Sequence, residues 1–171
     1  MIFPKRKPTR LKGYDYSAKG AYFITICVKD REELLSKIVG DGVLDVPNNI
    51  LTQYGEIADK YINKMSEFYQ HIFIDKYVIM PNHIHLILSI INQENGTSRT
   101  PSPTSSEISK FISSFKRFCN KEYEKNIWQR SFHDHIIRDE KDYKKIWEYI
   151  DTNPLRWELD CFYKNKNLTK L

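Results

Sequence analysis

Two apolar runs separated by Pro81-Asn82 make the stretch 77–88, YVIMPNHIHLIL, the part of this chain that most restricts its fold. A break of two turn-forming residues between strand-like runs leaves room only for a tight reversal, so the flanking strands are antiparallel neighbours. Directly after the turn, His83 and His85 stand one residue apart. Residues two apart in a strand share a face, so the imidazoles point together while Ile84 and Leu86 point the other way. Two neutral imidazoles whose backbones are about 6–7 Å apart can converge on one metal ion. By itself, His-x-His is more often an ordinary pair of strand histidines, so the assignment depends on the rest of the chain.

Around this hairpin the remaining elements fall in order. Gly20–Val28 (GAYFITICV) is β-branched and aromatic and reads as a strand. Residues 30–49 carry Gly40-Asp41-Gly42 and Pro47-Asn48-Asn49 turn signals and read as a loop with one short helical or strand piece. Apolar residues at Leu51, Tyr54, Ile57, Ala58, Tyr61, Ile62 and Met65 predict a helix over 50–68, capped by Asn48 or Asn49. Strands follow over 71–80 and 83–90, then a polar Pro/Ser/Thr-rich loop over 92–106. A helix capped at Ser105 or Ser106 carries Ile108, Phe111, Ile112, Phe115 and Phe118 on one stripe, with Lys116 and Arg117 off it. Residues 128–138 predict a turn and a further strand, and Asp139 caps a last helix ending before Asn153-Pro154. The expected fold is α+β: a ferredoxin-like or RRM-like antiparallel sheet of about four to five strands with helices on one face.

The length of 171 residues suits one domain, expected over 20–160, with a basic arm at 1–19 and a tail at 161–171. Charge is placed unevenly. Lys5, Arg6, Lys7, Arg10, Lys12 and Lys19 face only Asp15 within the first twenty residues, while the rest of the chain holds 21 basic and 21 acidic residues. A basic arm on a neutral body suits a polyanion, and Lys5, Arg6, Lys7, Arg10, Lys116 and Arg117 are the candidate backbone contacts. Three scattered cysteines, no apolar leader and no run of about 18–20 apolar residues point to a cytoplasmic protein kept off membranes.

Near the end of the last helix, Tyr149 and Asn153 are four apart and share a face. If the Asn153 amide joined His83 and His85 on a divalent ion, Tyr149 would stand one turn away as a nucleophile toward a phosphodiester. His133 and His135 form a second His-x-His, a secondary candidate for the metal pair. Without chemistry at these residues, the same composition suits a single-stranded nucleic-acid-binding module that stacks bases on Tyr22 and Phe23. A phosphoesterase with no covalent step is a third class.

YVIMPNHIHLIL followed by WQRSFHDHIIRDEKDYKKIWEYIDTNP resembles the HUH-superfamily single-tyrosine transposases, and within them the REP-associated tyrosine transposases. That family shows an aromatic-V-V-M-P-N-H-V-H-L-type strand, a W-x-R-x-[YF]-[YW]-D-H-x-I-R-D segment and a Y-I-x-x-N-P helix end. GAYFITICV is similar to the family's first strand, and the likeness covers roughly residues 10–155. It implies His83, His85 and Asn153 as metal ligands, Mg²⁺ or Mn²⁺ as the ion, and Tyr149 as the nucleophile. Single-stranded DNA at a hairpin foot is the implied substrate, with a monomer or homodimer as the active form near the nucleoid. Sibling insertion-sequence transposases carry Gln at the position of Asn153, so Asn favours the REP-associated branch. His133 departs from the pattern, standing where the family more often has an aromatic residue, and the 92–106 insertion is long.

Overall fold

β1 (Gly20–Cys27) and β5 (His83–Ile90) form the middle of a four-stranded antiparallel sheet in the order β4-β5-β1-β6, with β4 at Ile72–Ile79 and β6 at His133–Ile137. This computed structural model describes residues 14–40, 48–91 and 106–163. The basic arm residues Lys5, Arg6, Lys7 and Arg10, the loop over 92–105 and residues 164–171 lie outside the described residues. The Pro81-Asn82 reversal joins β4 to β5 as the sequence requires: Ile79 pairs with Ile84, and the Met80 amide donates to the His83 carbonyl at 2.8 Å.

Strand parity divides the residues between two faces. Tyr22, Ile24 and Ile26 of β1 and Ile84, Leu86, Leu88 and Ile90 of β5 enter the main core, which α1 (Gln53–Phe68) and α2 (Glu107–Tyr123) cover. These helices present Ala58, Ile62 and Met65, and Ile108, Phe111, Ile112 and Phe115, the stripes their 3.6-residue spacing anticipates. The expected α+β architecture, an antiparallel sheet, is thus present, with α1 and α2 packed on one face. The last helix, α3 (Glu140–Thr152), lies across the opposite side, where Ile146 and Ile150 pack with Ile87 and Ile137. Burying each of these isoleucines contributes on the order of 2 kcal/mol. That placement matters because His83, His85 and Ile87 share the α3-facing side of β5.

Helix starts follow side-chain capping. Ser106 accepts from the Ser109 amide and Asp139 from the Asp142 amide, as read from sequence. α1 begins later than its apolar pattern suggests, because Asn48–Leu51 is β3, paired with β2 (Ser36–Val39) in a separate two-stranded ribbon. Thr52 is the true cap, its hydroxyl accepting from the Gly55 amide. Gly55 is pressed against the ribbon: a Cβ there would sit 2.0 Å from the Leu35 carbonyl oxygen. Gly55→Ala is expected to lower the unfolding free energy by roughly 3 kcal/mol, read by urea denaturation. An unchanged midpoint would refute this account of the glycine. Among the described residues, no helix is long and apolar enough to cross a membrane.

Candidate active site

His83 and His85 are buried on the α3 side of β5, at 0% and 1% exposure, and their Nε2 atoms lie 3.0 Å apart. Each ring is held from behind. His83 Nδ1 meets Asn82 Oδ1 at 2.8 Å, and His85 Nδ1 meets the hydroxyl of Thr25, its partner across β1, at 2.8 Å. Burial disfavours the imidazolium in both. It pulls His83 down to about 3, with the nearby Arg31 charge adding to the effect. His85 is also held well below its ordinary value by burial, then by His83, against the opposing pull of Asp160. The pair is therefore neutral near pH 7, the state in which imidazole ligates a metal.

α3 delivers two more side chains to the same spot. Tyr149 Oη lies 3.3 Å from His85 Nε2, and its ring meets His85 edge-on at 5.3 Å. At 39% exposure the phenol is open to a substrate. Asn153, one turn on, is 2% exposed at the helix end, as spacing of four on one face requires. Beyond Asn153, Pro154–Leu159 forms a short 3-10 turn that doubles the chain back and sets Asp160 against both. Asp160 Oδ2 accepts from the Tyr149 hydroxyl at 3.1 Å and from Asn153 Nδ2 at 2.9 Å. Burial, then the Asp160 charge, pushes the Tyr149 phenol above its ordinary value.

The donor set suits a divalent cation. Ligand atoms of His83, His85 and Asp160 lie within 4.8 Å of one another, and the buried Asn153 Oδ1 has no hydrogen-bond donor among the described residues. A buried acceptor without a donor is costly unless something positive faces it. Two imidazoles, a carboxylate and an amide oxygen are a mixed nitrogen–oxygen set that a divalent cation accepts.

No family model matches the chain. An uncharacterised Haemophilus influenzae protein is 36% identical over 92% of this chain and 93% of its own length. A second Haemophilus influenzae protein is 28% identical, covering 83% of this chain and 74% of itself, and is provisionally named a REP-associated tyrosine transposase. Escherichia coli K12 has a protein of that name that is 26% identical, with 88% of this chain and 81% of its own covered. The chain is similar to the REP-associated tyrosine transposases over most of its length. A solved REP-associated tyrosine transposase bound to a REP hairpin shares the fold, with a TM-score of 0.60 and 24% identity over 86% of this chain and 74% of that one.

The other candidate residues fall away from the histidine pair. His135 on β6 is exposed and pairs with Asp142 at 2.7 Å. His133 is exposed opposite Thr25, its ring 6.3 Å from that of Phe162. Lys116 is turned inward to the carbonyls of Gln129 and Ser131 at 2.7 and 2.9 Å, and burial lowers it to about 8. Arg117 is exposed, lying 5.4 Å over the Phe118 ring. Of the two, only Arg117 is an exposed cation.

Two further residues at the site, Asp160 and Phe162, carry no signal in the sequence. Phe162 lays its ring 4.6 Å from His83, and its carbonyl accepts from Asn82 Nδ2 at 2.8 Å. Nothing in the periodicity of residues 154–163 announces either role, because both depend on the 3-10 turn reversing the chain.

Proposed function

We propose that this chain is a REP-associated tyrosine transposase, a metal-dependent single-stranded DNA endonuclease and strand transferase acting at hairpin, REP-like palindromic DNA through a 5′-phosphotyrosine on Tyr149. The observation that carries the reading is the exposed phenol 3.3 Å from an imidazole of a buried pair in the same chain. His83, His85 and Asp160, with the Asn153 amide oxygen, would hold the cation. When bound, Mg²⁺ or Mn²⁺ polarises the phosphodiester and stabilises charge growing on its oxygens.

The chain's own groups do the remaining work. Tyr149 Oη forms a bond to phosphorus as the bond from phosphorus to the 3′ oxygen breaks, leaving a free 3′-hydroxyl. The phenol proton leaves along the hydrogen bond to Asp160, and the departing oxygen takes its proton from water. One phosphodiester is exchanged for another, so a second 3′-hydroxyl can reverse the step. Phe23, 5.0 Å from the His85 ring and 6.0 Å from that of Tyr149, walls the nucleophile on its sheet side.

The hairpin is inferred from the bound DNA of the solved family structure and from this chain's charge. We assign DNA backbone contact to Lys5, Arg6, Lys7 and Arg10 of the arm, with Arg117 on the body. Deleting residues 1–12 is expected to weaken hairpin binding and reduce its log–log salt slope by up to about 3, since each phosphate contact on a single strand contributes about 0.7. An unchanged slope in a salt titration would show the arm to be a bystander.

The test of the whole reading is incubation with a single-stranded REP-like hairpin and Mn²⁺, followed by denaturing electrophoresis. A protein–DNA adduct that EDTA prevents is the expected product. A cleaved end without adduct would mean a phosphoesterase, and retention of intact DNA would mean a binding module.

A further inference from the structure

Asn82 touches three parts of the chain with one buried amide. It is 1% exposed in the β4–β5 turn. Its Nδ2 donates to the Phe162 carbonyl at 2.8 Å and to the Arg31 carbonyl at 3.4 Å, and its Oδ1 faces His83 Nδ1 at 2.8 Å. Rotating the amide by half a turn would aim its oxygen at two carbonyl oxygens, so the orientation is settled by its partners. An amide oxygen only accepts. His83 Nδ1 must therefore carry the proton, and His83 Nε2 must carry the lone pair.

His85 is treated differently. A hydroxyl stands behind it, and a hydroxyl donates or accepts as its partner requires. In the metal-free chain the two Nε2 atoms, 3.0 Å apart, need one proton between them. His83 has none to offer there, so His85 supplies it from Nε2 and accepts from Thr25 at Nδ1. For both Nε2 lone pairs to face a cation, the His85 proton would have to move to Nδ1, where the Thr25 hydroxyl can turn to accept it.

We propose that Asn82 is a positioning residue for the metal pair: it commits His83 as the preset ligand, while Thr25 leaves His85 free to change tautomer as the cation enters. The proposal rests on the divalent-cation reading of this site. Its experimental signature does not depend on cleavage. In long-range ¹H–¹⁵N spectra of the metal-free protein, His83 shows a protonated Nδ1 and a bare Nε2, and His85 the reverse. On Mg²⁺ saturation only His85 changes its pattern.

Affinity gives the second readout, with free Mn²⁺ counted by electron paramagnetic resonance. Asn82→Ala weakens Mn²⁺ binding by about 10–100-fold, the usual cost of losing the group behind a ligating histidine. Asn82→Ala binding as the parent does overturns the proposal. If Asn82→Ala does not fold, the spectra of the unmodified protein still decide, because a protonated Nε2 on His83 in the metal-free state overturns it equally. Failure of the parent to bind Mn²⁺ at all counts against the cation reading, not against the amide's hold on His83.

Discussion

Tyr149→Phe is expected to abolish the covalent protein–DNA adduct, a loss of at least roughly 10⁴-fold or about 5.5 kcal/mol of barrier. Only the hydroxyl is removed, and with it the oxygen that α3 places beside His85. The ring stays, so its edge contacts with Phe23 and His85 survive. The lost hydrogen bonds, to Asp160 and His85, are worth about 1 kcal/mol each and lie at a partly exposed site, so the fold tolerates the change. Hairpin and Mn²⁺ binding should stay within a few-fold of the parent. An adduct of normal yield in Tyr149→Phe would remove this residue from the chemistry and return attention to the other ten tyrosines.

Comparable in size is the contrast between the two His-x-His pairs. His83→Ala should lower adduct formation by about 10³-fold or more, because one of two converging imidazole ligands goes. It should also cancel the stabilisation that Mn²⁺ gives the parent, about 2.7 kcal/mol when the ion stands at a hundred times its dissociation constant. That loss appears as a vanished shift in melting temperature between EDTA and Mn²⁺. The metal-free variant is itself destabilised by roughly 1–3 kcal/mol, since Asn82 Oδ1 is left buried without its donor. His133→Ala removes an exposed ring from the edge strand and should cost no more than about tenfold. The opposite ranking would move the metal site to β6.

How far the site was legible depends on the range of the interaction. His83 and His85 share a face because side chains alternate along a strand, and Tyr149 and Asn153 share one because four residues make about one helical turn. Both statements hold for the chain in isolation. The hairpin at Pro81-Asn82 and the caps at Ser106 and Asp139 are likewise local, set by residues within a few positions. α1 starts later than its apolar pattern predicts, because the pattern runs on into Asn48–Leu51, whose β pairing with residues 36–39 leaves no mark on helical periodicity.

Sequence alone therefore determined which side chains point together within each element, since backbone periodicity is a property of consecutive residues. Tertiary structure alone decided that α3 crosses the histidine-bearing face of the sheet, through Ile146 and Ile150 against Ile87 and Ile137. It alone also brought in Asp160 and Phe162, which a short 3-10 turn folds back onto the site, and gave Asn82 its three partners. These contacts join residues as many as 80 positions apart. They form because burying the apolar face of a helix and pairing every buried polar group are conditions on the whole molecule, met by packing that no local pattern encodes.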